Sequence, residues 1–290
     1  MFERVLFPTD FSESSQKVLE CVKELPGVKN VVLLHVISPD DPPHKIWDSG
    51  GRIDEASAKL HEQKELLEGG GFDIKTRITT TEGEISSAIQ RVAEEQNSTV
   101  VVMGARGKGI IKSIFLGSVA KNVLRNGNTN LLLMRYALFE DGRGSPMGKI
   151  CSRKFSKVLC PTDLSETAEE AIAIVKCIPG IEKILLQHVV FSGETMEEVE
   201  SLIQEANNRL NAIRESLEND GLKANTYVSI GNPAEEIIDL AKKEDVSMIA
   251  MSSYGKDWLR QLVIGSTTYE VARMGDRPVL VIRSGSECLK

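Results

Sequence analysis

The stretch Thr99-Val100-Val101-Val102-Met103-Gly104-Ala105-Arg106-Gly107-Lys108-Gly109, continued through Ile110 to Leu116 into Gly117-Ser118-Val119, decides how this chain is read. An apolar run passes into a glycine-rich segment and then into a helix start. A glycine has no Cβ, so the backbone there can turn freely and lie close against a ligand. The free N–H groups of a helix's first turn, together with its dipole, attract anions. Strand, glycine loop and helix start together describe a phosphate cradle. Its spacing is Gly104, two residues, Gly107, nine residues, Gly117, then Ser118. A P-loop needs Ser or Thr after its lysine, and Lys108 is followed by Gly109. A Rossmann fingerprint needs G-x-G-x-x-G after the first strand, and this is G-x-x-G-x-G after the fourth. The plain alternative is a surface loop that happens to hold glycines.

The chain has 290 residues, of which 41% are hydrophobic, enough for about two ordinary domains. Its net charge of −7 comes with no basic block, which disfavours nucleic acid or an anionic membrane as partner. No window approaches the ~18 consecutive apolar residues of a membrane span. Glu3 and Asp10 interrupt the N-terminus, so it does not read as a signal peptide. The expectation is a soluble cytoplasmic protein. Five cysteines occur without a C-x-x-C pair. Cys21, Cys160 and Cys177 fall on apolar positions and are expected to be small buried side chains.

The chain repeats itself. Val5-Leu6-Phe7-Pro8-Thr9-Asp10 returns as Val158-Leu159-Cys160-Pro161-Thr162-Asp163. His35-Val36 returns as His188-Val189, Met103-Gly104 to Lys108 as Met251-Ser252 to Lys256, and Gly117-Ser118 as Gly265-Ser266. Four echoes in one order indicate a tandem duplication of a unit of roughly 135 residues. The expected domains are 1–137 and 155–290, joined by a linker at 138–154 rich in glycine and serine.

Within the first unit, short apolar runs alternate with helical periodicities. Strands are expected at Val5–Phe7, Val31–Ile37, Phe72–Thr80, Thr99–Met103 and Leu131–Met134. Helices are expected at Ser12–Leu25, Ile53–Glu68, Glu84–Glu95 and from Gly117 to Arg125. This order predicts an α/β fold, a doubly wound parallel five-stranded sheet with helices on both faces. With strand order 3-2-1-4-5, the first and fourth strands meet at the switch point where such sheets bind ligands. Thr9-Asp10 would then lie beside Gly104 and Gly107.

On these residues both halves resemble the universal stress protein family, and the whole resembles a tandem member. The family's nucleotide signature is G, two residues, G, nine residues, G, then Ser or Thr, as in the first half. The resemblance implies an adenine-nucleotide site made by Pro8, Thr9, Asp10, Val36, Met103, Gly104, Arg106, Gly107, Lys108, Gly117, Ser118 and Val119. In it Asp10 would meet the ribose and the Val36 backbone the adenine edge. Gly104 and Gly107 would let amides approach the phosphates, and Gly117, Ser118 and Val119 would hold phosphate oxygens. Each residue has a structural alternative: Asp10 or Ser118 as helix cap, Val36 as core, Arg106 and Lys108 as solvated charges. His35 and His188 read as structural. The cofactor implied is ATP or AMP, with Mg²⁺ bridging phosphates and Asp10.

The second half supplies a second candidate set in Pro161, Thr162, Asp163, Val189, Ser252, Gly255, Gly265, Ser266 and Thr267. It departs from the motif: Ser252 stands for the first glycine and Tyr254 for Arg106, while Asp257 and Trp258 replace Gly109 and Ile110. If residue 252 needs positive φ, serine costs about 1 kcal/mol or more. The second half is therefore expected to bind nucleotide weakly or not at all. A contrary reading has Ser252 donate a hydrogen bond and an aromatic cover the base.

The function expected is a stress-response or regulatory module in which nucleotide occupancy controls conformation or partner binding. No Ser/His/Asp set or H-x-x-x-H spacing appears, so at most slow ATP hydrolysis is expected. The alternatives are an interaction scaffold with vestigial sites and an adenylate-forming enzyme. The two halves are expected to pair about a pseudo-twofold axis through their apolar fifth strands, with a homodimer and a protein partner left open.

Overall fold

The computed structural model describes residues 1–38, 49–105, 116–134, 155–191, 193, 195–255 and 264–286. The chain divides into two compact units, Met1–Ser145 and Pro146–Lys290. The segment expected as linker lies outside the described residues.

The first unit runs β1 (Arg4–Pro8), α1 (Glu13–Val22), β2 (Asn30–Ile37), α2 (Ser49–Leu67), β3 (Asp73–Thr80), α3 (Ile85–Glu95), β4 (Val100–Gly104), α4 (Ser118–Asn126) and β5 (Asn130–Met134). The second runs β6 (Lys157–Pro161), α5 (Glu166–Val175), β7 (Lys183–Val190), α6 (Met196–Asn219), β8 (Lys223–Ile230), α7 (Pro233–Lys243), β9 (Met248–Ser252), α8 (Ser266–Met274) and β10 (Val279–Ile282). Strand order is β3-β2-β1-β4-β5 in the first unit and β8-β7-β6-β9-β10 in the second. Within each unit the strands pair in parallel, β1 lying between β2 and β4 and β6 between β7 and β9. The doubly wound order 3-2-1-4-5 is thus present in both.

The hydrophobic runs explain the layering. Leu6, Leu33 and Leu131 are fully enclosed, as strands covered on both faces require. The terminal strands β3 and β8 are half-exposed along their length, and their sequences carry charged and polar residues accordingly. Helices α1 and α2 pack together, as do α3 and α4. Right-handed crossovers to opposite sides of β1 give that arrangement.

Helix ends follow their sequences. Ser12 caps α1 by accepting from the Ser15 N–H, and Ser165 caps α5 from Ala168. Asn232 caps α7, with Pro233 at its first position, as the Gly231-Asn232-Pro233 turn predicts. Cys21 and Cys160 are buried as expected, Cys160 as a free thiol, but Cys177 is half-exposed, and Cys21 and Cys177 are each disulfide-bonded.

Candidate nucleotide crevice

Pairing of β1 with β4 brings the segment after Pro8 beside Gly104, at the point where strand order reverses. Pro8 ends β1. The Thr9 amide then donates to the Leu34 carbonyl at 2.8 Å. The buried Thr9 hydroxyl accepts the Phe11 N–H at 3.1 Å and the Ser15 hydroxyl at 3.1 Å. Asp10, half-exposed, follows immediately. Its Oδ1 accepts both the amide and the hydroxyl of Ser12, at 3.0 and 2.6 Å. Capping of α1 therefore belongs to Ser12, while Asp10 stands one turn earlier at the mouth of the crevice.

The turn is held under strain. Phe11 has φ 59°, in the left-handed region, and Leu164 repeats this in the second unit at 63°. A non-glycine residue there costs about 1 kcal/mol or more, which the hydrogen bonds to Thr9 and Asp10 offset. His35 adds another constraint. Its Nδ1 lies 2.9 Å from the Thr9 carbonyl. Because a carbonyl only accepts, Nδ1 carries the proton. The Phe11 ring rests on His35 with centroids 4.3 Å apart, and Lys59 Nζ lies 5.6 Å from the Phe11 ring centre. His188 makes the same 2.9 Å contact with the Thr162 carbonyl. Both histidines thus have structural partners, and each fixes the residue before an aspartate. The tether itself was not anticipated, although the recurring His and the repeated Asp-x-Ser were visible signals for it.

On the β4 side, Met103 is buried and Gly104 closes the strand, paired with Met134. The Gly117 amide donates to the Ala105 carbonyl at 2.9 Å, so that amide is spent on closing the neck of the loop. Gly117 is the N-cap of α4 and offers no side-chain cap. Ser118 is consequently the first helical residue, not the cap, and its side chain is exposed. Being glycine, the N-cap Gly117 supplies no side-chain acceptor to the first-turn N–H groups of Ser118, Val119 and Ala120. Helices α1, α5, α6 and α7 have side-chain caps, whereas α3 and α8, like α4, do not. Val36 is buried near the end of β2, next to Thr79 of β3. Arg106, Gly107 and Lys108 lie outside the described residues.

In the second unit Pro161, Thr162 and Asp163 reproduce this frame, with Leu164 N–H on the Thr162 hydroxyl at 2.9 Å and Ser165 on Asp163. Gly265 is again an uncapped N-cap, followed by exposed Ser266 and half-exposed Thr267. Val189 is half-exposed near the end of β7. Ser252 is not among the left-handed residues of the described chain, so the strain expected of a serine there is not incurred. Asp257 and Trp258 lie outside the described residues. Among those described, no cluster of His, Cys, Asp and Glu could hold a metal, and no helix is long and apolar enough to cross a membrane.

Comparison with known proteins agrees with this architecture. The model of the Universal stress protein family matches residues 1–135 and 181–283. Universal stress protein MJ0577 of Methanocaldococcus jannaschii is 34% identical over 154 residues, covering 44% of this chain and 95% of that protein. Universal stress protein YxiE of Bacillus subtilis is 31% identical over 114 residues, covering 39% of this chain and 73% of its own. The crystal structure of a universal stress protein from Archaeoglobus fulgidus superposes with a TM-score of 0.75 at 26% identity. That match covers 98% of this chain and 100% of the other.

Proposed function

From the premise that this chain belongs to the universal stress protein family, we propose that its first unit binds ATP or AMP and that occupancy controls conformation or partner binding. One observation carries the reading. The Thr9-Asp10 turn and the uncapped start of α4 sit at the two neighbouring strand ends that form the switch point. An anion at the helix start and a hydroxyl-rich sugar at a carboxylate are complementary to those two groups. The glycine spacing in the first half is the family's nucleotide signature, and this supports the assignment.

In this reading the first-turn amides of Ser118 and Val119 receive phosphate oxygens, and Gly104 and Gly107 keep side chains out of their path. Asp10 accepts from the ribose hydroxyls through the carboxylate that Ser12 orients. The Val36 backbone meets the adenine edge. Asp10 would be the carboxylate available to a Mg²⁺ ion carried in with the nucleotide, which would supply neutralisation of phosphate charge. Thr9 and His35 hold the turn and need not touch the ligand.

The test is calorimetric titration of ATP and of AMP, each with Mg²⁺, into the intact protein and into Gly117→Asp. Sub-millimolar binding that Gly117→Asp abolishes is expected. Absence of binding to the intact protein would overturn the proposal in favour of a scaffold. Accumulation of an adenylate or pyrophosphate on incubation would favour a transferase instead.

A further inference from the structure

We propose that the second unit is closed to nucleotide by its own chain, with the segment Ser252–Gly255 held against Asp163 and Tyr254 as its latch. The proposal rests on the reading of the crevice given above, because it says what occupies the equivalent place 150-odd residues later.

The two units keep the same frame up to the aspartate and diverge at the loop facing it. Where the first unit has Gly104-Ala105-Arg106, the second has Ser252-Ser253-Tyr254. The Ser252 change adds a hydroxyl that bonds within the loop, whereas the Ser253 hydroxyl is buried without a hydrogen-bond partner among the described residues. The Ser252 hydroxyl donates to the Tyr254 carbonyl at 2.7 Å. Thr167, in the first turn of α5, donates to the same carbonyl at 3.2 Å. One backbone oxygen is thereby tied both to its own strand end and to the opposing helix. Buried Arg283, just past β10, lines a small cavity together with Tyr254.

The segment lies on Asp163. A Cβ placed on Gly255 would come 2.3 Å from Asp163 Oδ2, so the loop backbone rests directly against that carboxylate. The other oxygen, Oδ1, is taken by the Ser165 amide and hydroxyl at 3.1 and 2.5 Å. The carboxylate that would receive a ribose has chain on one side and its own turn on the other. On the side away from Asp163, Tyr254 borders that small cavity of about 10 Å³, shared with Thr167, Ser253 and Arg283. A side chain at 255 would have to displace the Asp163 carboxylate from this position. The glycine that the family uses for phosphate approach is here used for self-packing.

The experiment uses the full chain with the first unit blocked by Gly117→Asp, titrated with ATP and AMP in Mg²⁺. In that background no binding is expected. Adding Ser252→Gly and Tyr254→Arg, which restore the first unit's residues, is expected to yield sub-millimolar binding, a gain of at least ten-fold, which Gly265→Asp then removes. The milder Thr167→Ala, which releases one bond to the Tyr254 carbonyl and leaves the loop sequence intact, is expected to give a smaller gain. Binding by the second unit of the parent, detected as a loss on Gly265→Asp, would overturn the latch. So would no gain in both opened variants with native thermal melts. The first-unit proposal fails separately, if the wild-type chain shows no binding that Gly117→Asp removes.

Discussion

At Gly117 a single backbone position serves two ends. Its φ of −60° and ψ of 152° are those of an ordinary N-cap, a place where aspartate is among the best residues. Gly117→Asp should therefore fold at least as well as wild type, with a urea midpoint unchanged or raised by a few tenths of a kcal/mol. Its carboxylate would at the same time occupy the anion position, so binding is lost without loss of fold. Thr9 makes the opposite prediction. It is 6% exposed and accepts from Phe11 and Ser15. Thr9→Val leaves a backbone N–H and a buried hydroxyl without their acceptor and should cost about 1–3 kcal/mol in urea denaturation. Sequence alone pointed to Asp10 because it recurs, but left open whether it caps the helix. The bond from Ser15 to Ser12 assigns the cap to Ser12, since both Asp10 and Ser12 lie within reach of the helix start.

At the scale of the element, helix ends were the most legible feature and the loops the least. Asn232-Pro233 and Ser12 announced their helices through cap chemistry. The start of α2 was read at Ile53 and lies at Ser49, because Gly50 and Gly51 conceal a helix start behind residues of poor propensity. The end of α3 offers a test. Asn97 sits at φ 48°, where Ser98 N–H bonds the Ala93 carbonyl at 2.8 Å and Asn97 N–H that of Glu94 at 3.0 Å. This is the paired arrangement that glycine favours. Asn97→Gly retains every backbone bond, including the Asn97 carbonyl's acceptance from Arg4, and should raise stability by about 0.5 kcal/mol. A fall in the thermal midpoint would refute that account. The adjacency of β1 and β4, by contrast, was expected on the supposition of a usual doubly wound strand order, and the sheet has it.

For the whole molecule, the duplication was the clearest message in the sequence and its asymmetry the next. The sequence led to the expectation that Ser252 weakens the second site through backbone strain, and Ser252 is not left-handed, so that route is absent. The bonds of its hydroxyl and of Thr167 to Tyr254 could not be read from one strand, because they join elements far apart in the chain. The expected stoichiometry is one adenine nucleotide per chain by equilibrium dialysis, and two would contradict it. A second asymmetry is set by Cys160, where the first unit has Phe7. Complete burial raises its thiol from 9.0 to about 12. Below pH 9 both folded and unfolded chains hold that proton. Between 9 and 12 only the folded chain does, so the thiol's contribution to stability declines across that window. The urea midpoint should fall more steeply there for wild type than for Cys160→Ala.

The matched imidazoles have a practical consequence. His35 and His188 hang from equivalent carbonyls at the same 2.9 Å, one below a crevice read as open and one below a crevice read as latched. The chain thus carries its own blank: in a nuclear magnetic resonance titration, both rings feel the same buffer, temperature and ionic strength. Any ligand-dependent movement of the His35 resonance that His188 does not share reports occupancy of the first unit alone, without a separate control protein.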